Sequence, residues 1–160
     1  MKSILSAAMI LFLGLTTQAK DLTHRLGIGY KNNTTLDLPS LAAVYYPTST
    51  MGLTGGVGVD TKKDYNSFQA MAGVRYIIYP ETNMNFYGAG QFALVNFETP
   101  ADGKKNGVEV AGLFGVEFFL TGLENLGWTF EAGVSLATAG NSRFRTVGDS
   151  PFRAGMIFYF

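Results

Sequence analysis

The sequence predicts an all-β fold, a single eight-stranded antiparallel up-and-down barrel. Beyond residue 19, apolar and polar residues alternate with a period of two in eight segments. No apolar run there reaches the about 18 residues of a membrane-spanning helix. Stretches rich in Pro, Gly, Asn, Asp and Thr separate the segments, as turns between strands require. The predicted strands are 22–30, 40–46, 52–60, 67–79, 84–96, 108–120, 127–137 and 152–160.

The first 19 residues are expected to be a cleaved signal peptide outside this fold. Lys2 supplies a positive charge, residues 4–15 form a short apolar run, and Ala19 is a small residue at its exit. The run is too short to cross a bilayer as a helix, and an uncleaved membrane anchor is the alternative. Cleavage after Ala19 leaves one domain, the barrel, over residues 20–160.

The first three strands are short and alternate large apolar residues with small or polar ones. In strand one Leu26, Ile28 and Tyr30 share a face, and Arg25 lies on the other face with two glycines. Strand two ends at a turn that contains Pro47, and strand three alternates valines with glycines. A tilted spanning strand needs about 9–11 residues, so the barrel is expected to be short on this side.

Strand four carries the clearest alternation, and strand five the least clear. Apolar and aromatic residues from Phe68 to Ile78 share one face of strand four, and Arg75 lies on the other. A short turn with Pro80 leads to strand five. The facing of strand five stays open, although Gln91 is expected to avoid an apolar surface.

Strands six, seven and eight set charged residues opposite long apolar rows. Glu109 and Glu117 in strand six lie on a face shared with Gly and Ala. Glu131 in strand seven lies with Gly, Thr and Ser, and Arg153 in strand eight continues the same arrangement. Charges are therefore predicted on one face of the sheet only.

An even number of antiparallel strands puts both chain ends on one side of the barrel. The loops after strands one, three, five and seven then lie on the opposite side, and the longest of them are 99–107 and 138–150. The break at 121–126 is long for a turn on the side of the chain ends. It is interpreted as a short helical turn.

The two faces predict that the barrel is transmembrane, with its apolar face outward. In six of the eight predicted strands the apolar face carries no charge, and an Arg or Lys at the bilayer midplane costs about 2–4 kcal/mol. Only 15% of the chain is charged, it has 20 glycines, and it has no cysteine to form a disulfide. The alternative is a soluble lipocalin-like barrel, whose outer face would be rich in Gly and poor in charge.

The last predicted strand points to a family. Its outward row, which ends the chain, is Phe152, Ala154, Met156, Phe158 and Phe160. This row resembles the C-terminal assembly signature of bacterial outer-membrane barrels, and the whole domain resembles the OmpA/OmpX-like group in strand count and topology, but with short outer loops. The resemblance implies the outer membrane of a Gram-negative bacterium, periplasmic N- and C-termini, and a monomer. Its implied partners are outer-membrane lipid, lipopolysaccharide and the outer-membrane assembly machinery.

Six charged side chains are predicted to form a network in the lumen, because an eight-stranded barrel is just wide enough for side chains to fill it. Buried charges need partners of opposite sign. Two arginines and two glutamates are expected at one level, namely Arg25, Arg75, Glu117 and Glu131. Glu109 and Arg153 are expected to form a second pair nearer the outer end. The predicted network is Arg25, Arg75, Glu109, Glu117, Glu131 and Arg153.

Three functions stay open for such a barrel. The first is a structural or surface outer-membrane protein with a filled lumen. The second is an adhesin-like or lipopolysaccharide-contacting protein that acts through basic outer loops. The third is a narrow, porin-like ion channel through the lumen. The basic loop residues are Lys62, Lys63, Lys104, Lys105, Arg143 and Arg145.

Catalytic and metal-binding patterns are missing, so neither an enzyme nor a cofactor is predicted. The single histidine, His24, has no evident Ser and acid partners, and the late His-Ser pair of lipid A deacylases is missing. A metal site would need clustered His or Cys. Lys105 follows Lys104 where a phosphate-binding loop would need Ser or Thr. The 12 basic and 12 acidic residues also argue against nucleic acid as a partner.

Overall fold

The structure, a computed structural model, describes residues 20–32, 36, 38–100, 103–147 and 153–160. The expected signal peptide and Phe152 lie outside the described residues. Within the described ranges no helix is long and apolar enough to cross a membrane. The strands are β1 (Leu26–Lys31), β2 (Ser40–Tyr45), β3 (Met51–Asp60), β4 (Ser67–Glu81), β5 (Met84–Thr99), β6 (Gly103–Leu120), β7 (Leu123–Ala137), β8 (Arg143–Val147) and β9 (Arg153–Tyr159).

The strands close into one antiparallel barrel. From β1 to β7 each strand pairs with the next, and β1 also pairs with β9. Both β8 and β9 pair with β7, so together they occupy the eighth position of the ring. Closure pairs the edge strands with one another. The prediction of an eight-stranded antiparallel barrel is therefore confirmed.

The barrel has two different ends. The hairpin end carries the short turns after β2, β4 and β6 together with residues 20–25, and the loop end carries the connections after β1, β3, β5 and β7. At the hairpin end Leu22 is buried in one apolar cluster with Tyr46, Phe119 and Tyr159. The His24 N–H donates a hydrogen bond of 2.7 Å to the Tyr46 carbonyl. The segment before β1 therefore packs across the hairpin end.

Several strand boundaries differ from the predicted ones. The predicted loop 99–107 is mostly strand, because the ladder between β5 and β6 continues to the pair of Thr99 with Gly103. The predicted helical turn 121–126 is wrong: Leu120 pairs with Leu123 across a two-residue turn, in which Gly122 has a φ of 86°. In each case backbone pairing across the hairpin extends strands into polar sequence, where alternation is weak.

The predicted outer loop 138–150 also contains strand. Arg143 and Arg145 lie in β8, opposite Ala137 and Ser135 of β7. Arg145 is half-buried, and its register position is one that faces the lumen, since Ser135 is buried there. The placement of both arginines in a free outer loop is therefore wrong. At the other end of the chain, strand one begins at Leu26 rather than residue 22, because residues 23–24 form a turn.

The inner and outer faces of the barrel differ in chemistry. Buried positions alternate with exposed ones along every long strand, and the exposed positions carry large apolar side chains. The inner face carries polar and charged side chains, including Gln91 of β5, whose facing was open, together with small side chains and a buried apolar cluster that contains Ile77 and Phe119. The exposed apolar side chains include Leu41, Leu53, Val57, Phe68, Val74, Tyr76, Ile78, Phe92, Leu94, Val110, Phe114, Val134 and Leu136.

Glycine has a strict steric role at one contact between β6 and β7. A Cβ added to Gly133 would overlap the carbonyl oxygen of Gly112, whereas a Cβ added to Gly112 would meet nothing within 4 Å. We expect Gly133→Ala to lower the free energy of unfolding by about 1–3 kcal/mol, because one strand must shift. Its control, Gly112→Ala, should be neutral or slightly stabilising. Urea unfolding of both variants measures the difference, and equal effects would contradict the steric explanation.

Candidate functional site: an ionic network in the lumen

One arginine and two glutamates form the centre of the lumen. Arg75 of β4 lies between Glu117 of β6 and Glu131 of β7, and all three side chains are fully buried. Arg75 Nη1 is 3.6 Å from Glu117 Oε1, and Arg75 Nη2 is 3.6 Å from Glu131 Oε1. One guanidinium thus joins two carboxylates from two other strands.

A buried lysine completes the charge balance of this layer. Lys31, the last residue of β1, places its Nζ 2.5 Å from Glu131 Oε1, and its side chain is 1% exposed. Glu131 Oε1 therefore accepts from Lys31 and also faces Arg75. Two cations and two anions neutralise one another, which removes most of the penalty for burying each charge separately.

Three tyrosines attach to the same carboxylates. Tyr159 donates to Glu117 Oε1 at 2.7 Å, and Tyr46 lies 3.3 Å from Glu117 Oε2. Tyr87 donates to Glu131 Oε1 at 2.7 Å, and its ring lies 4.7 Å from the Arg75 guanidinium carbon. Arg75, Lys31 and these tyrosines are among the largest fully buried side chains. The layer is therefore a filled section of the lumen.

A second ion pair lies nearer the loop end. Arg153 Nη2 of β9 is 3.6 Å from Glu109 Oε1 of β6, and both side chains are buried. On the other side of the barrel Gln69 Nε2 donates to Ser40 Oγ at 2.5 Å and to the Leu38 carbonyl at 2.7 Å. Among the residues that the structure describes, six buried side chains are charged, three positive and three negative: Lys31, Arg75, Arg153, Glu109, Glu117 and Glu131.

The structure brings five of the six predicted network residues into the lumen as two groups, and it places the sixth elsewhere. Arg25 lies at the hairpin end and is half-exposed. Its guanidinium donates to the Tyr159 and Phe160 carbonyls at 3.1 and 3.2 Å and to Asn125 Oδ1 at 2.9 Å. The expected level of Arg25 was wrong, because its strand starts later than predicted and leaves it before the first paired residue.

The outward row of the last strand is described in part. Met156, Phe158 and Phe160 are exposed on the outer face, and the rings of Phe158 and Phe160 lie edge to face at 5.2 Å. Phe152 lies outside the described residues. These side chains contribute to the apolar outer surface and not to the lumen.

Lys31 and the three tyrosines were missed at the sequence level. Lys31 was assigned to the first loop, yet it continues the inward period of two through Gly27 and Gly29. Tyr46 and Tyr159 also fall on inward positions of their predicted strands, and Tyr87 lies on the same face of its strand as Gln91. For Lys31 the available signal was the period itself, extended by one residue past the predicted strand end. For the tyrosines it was the period within the predicted strands.

No family model, no curated protein and no solved structure matches this chain. Among the described residues no group of three or more His, Cys, Asp or Glu side chains is placed to hold a metal ion. The barrel and its ionic lumen are therefore the features from which a function can be proposed.

Proposed function

We propose that this chain is a structural outer-membrane β-barrel protein whose lumen is closed by its ionic network. In this proposal the apolar outer face lies in lipid and residues 20–160 form the membrane domain. The signal peptide exports the chain, and both termini are periplasmic. The proposed setting is the outer membrane of a Gram-negative bacterium, with lipid, lipopolysaccharide and the assembly machinery as partners of a monomer of the OmpA/OmpX-like kind.

The observation that supports the proposal most is the placement of apolar side chains on the outer face and of charged side chains inside the barrel. Large apolar side chains cover the outer face, and six charged side chains of the described ranges are buried within. Exposed apolar patches on soluble monomers rarely exceed a few hundred Å². A soluble barrel would also gain little from buried ion pairs, since apolar residues of similar volume are often as stable there. Lipid outside and a polar lumen inside satisfy both faces.

The first test is heat-modifiable gel mobility. The full chain refolded in detergent is expected to migrate differently before and after boiling, because a closed barrel resists unfolding in the sample buffer. The single tryptophan, Trp128 of β7, gives a second measurement. Its fluorescence should be quenched by bromine-labelled acyl chains in reconstituted vesicles. A chain that folds in buffer without detergent and resists such quenching would contradict the membrane location.

One observation supports a surface role that acts through the loops. Lys62, Lys63 and Lys104 are exposed at the loop end, where they are accessible to lipopolysaccharide phosphates. Arg145 no longer supports that role, because it lies in β8 and is half-buried. The ion-channel alternative requires an open lumen, and the filled layer around Arg75 argues against it.

A further inference from the structure

A cavity of about 230 Å³ lies at the loop end, on the inner face of the barrel wall. Val95 and Ala137 of its lining are buried, and Leu36 and Ala139 pack against the apolar cluster that contains Val95. The cavity is smaller than the about 300–1,000 Å³ of drug-sized sites, so it suits a small molecule. Its apolar wall consists of Leu36, Val95, Phe97, Ala137 and Ala139.

Arg143 gives this apolar cavity a cationic rim. It is the first residue of β8 and pairs with Ala137 of β7. Cross-strand partners face the same side of a sheet, and Ala137 is buried, so Arg143 lies on the inner face with the cavity. Arg143 and Asn141 both line the cavity, and both are exposed to water. Both side chains are therefore accessible to a solute that enters from the loop end.

A second cation lies beside the same cavity. Lys105 of β6 pairs with Phe97 of β5, which places it on the inner face next to a lining residue. A Cβ added to Gly140 would lie 3.5 Å from Lys105 Nζ, so the ammonium reaches the turn after β7. Ala139 and Asn141 of that turn line the cavity. The rim therefore carries positive charge on both sides.

The charge balance at this end of the lumen favours an anion. Arg145 shares the inner face of β8 with Arg143, and Arg153 pairs with the buried Glu109. The other acidic side chain at an inward strand position is Asp60 of β3, on a face that includes the buried Gly58. Between the Arg75 layer and the loop end, four cations thus face the inside against two anions in the described ranges. This excess attracts an anionic solute.

We propose that the cavity binds a small amphipathic carboxylate, with its apolar body against Val95 and Phe97 and its carboxylate at Arg143. A guanidinium offers two parallel N–H donors that match the two oxygens of a carboxylate. Each methylene group that leaves water for the apolar wall strengthens binding. The site depends on the barrel and not on the membrane location, so it can be tested whichever way the outer-membrane proposal is decided.

The first experiment titrates the full-length, refolded, ¹⁵N-labelled protein with sodium hexanoate and follows backbone amides by nuclear magnetic resonance. We expect saturable shifts for Gly140 and Asn141, which lie at the rim. Hexanamide keeps the apolar body without the charge, and acetate keeps the carboxylate without the body. Each should bind about tenfold more weakly or worse. Equal binding of hexanamide would overturn the proposal, because the cation would then have no part in recognition.

The second experiment locates the bound hexanoate. Nuclear Overhauser effects from its methylene protons are expected at the methyl groups of Val95, which is buried beside the cavity. The matched control is Leu94, the preceding residue, which is 51% exposed on the outer face. Hexanoate dissolved in detergent would contact Leu94 instead. Effects at Leu94 without effects at Val95 would therefore overturn the proposal.

Variants at the rim separate the proposed contact from general attraction. Arg143→Gln should weaken hexanoate binding about tenfold, and Arg143→Lys should lie between the two, because lysine keeps the charge but loses the paired donors. Lys63→Gln removes an exposed cation of the loop after β3, at the same end, and should bind as the unchanged chain does. Equal losses in Arg143→Gln and Lys63→Gln would overturn the proposal in favour of nonspecific attraction.

A blocking variant keeps the test valid if Arg143→Gln disturbs β8. Asn141→Trp, at an exposed position of the turn after β7, should close the cavity while it leaves Arg143 in place. Heat-dependent gel mobility checks that each variant folds. Unchanged hexanoate binding by folded Asn141→Trp would overturn the assignment to this cavity.

Discussion

Replacing Arg75 by Leu is expected to lower the free energy of unfolding by about 3–5 kcal/mol. The change leaves Glu117 and one side of Glu131 without their shared cation in a fully buried layer. Urea unfolding in detergent micelles, followed by the fluorescence of Trp128, measures the loss. The matched control is Arg25→Leu, because Arg25 is the half-exposed arginine at the hairpin end. That control should lose about 1 kcal/mol or less.

A double variant distinguishes an unpaired charge from lost packing. In Arg75→Leu with Glu117→Leu, Glu131 keeps Lys31 as its partner at 2.5 Å, and one cation and one anion are removed together. Part of the stability lost in Arg75→Leu should therefore return, as a coupling energy between neighbouring sites. Strictly additive losses, or equal losses for Arg75→Leu and Arg25→Leu, would show that the central network does not stabilise the barrel.

Replacing Val74 by Arg should destabilise the protein strongly in a bilayer and weakly in any aqueous setting. Val74 is the middle residue of β4 and is 50% exposed on the outer face. If the outer face lies in lipid, an arginine at this depth costs about 2–4 kcal/mol. Reversible refolding into phospholipid vesicles across a guanidinium series gives the free energy difference.

The matched control for depth is Val59→Arg. Val59 is 58% exposed on the same face but is the next-to-last residue of β3 at the loop end. An arginine there should cost only about 0–1 kcal/mol, because it reaches the interface. A near-zero cost at both positions would indicate an outer face in water and would exclude the proposed membrane location.

Much of the fold could be predicted from the sequence because side-chain facing in a strand is a local property. Leu26, Ile28 and Tyr30 alternate with small residues, and the period of two alone gives their side of the sheet. Strand ends were less predictable. Gly103 and Leu123 lie in polar or turn-like sequence, where backbone pairing with the neighbouring strand, not the local pattern, extends the strand.

The candidate site was predictable in its residue types but not in its contacts. Glu131 and Lys31 are 100 residues apart in the chain, and their 2.5 Å contact depends on how β1 and β7 are placed on either side of β9. Register is set by pairing between strands, so local alternation carries no information about the height of a side chain in the lumen. For the same reason the sequence led to the wrong expectation that Arg25 lies among the central charges.

The sequence by itself determined the strand number, the antiparallel order and the separation of charge from apolar surface, since each follows from short-range alternation and turn residues. The tertiary structure alone decided that Lys31 joins Arg75, Glu117 and Glu131, and that Arg25 stays at the hairpin end. These outcomes depend on the register and unequal lengths of strands distant in sequence. Both the register and the strand lengths are set only when the ring of strands closes.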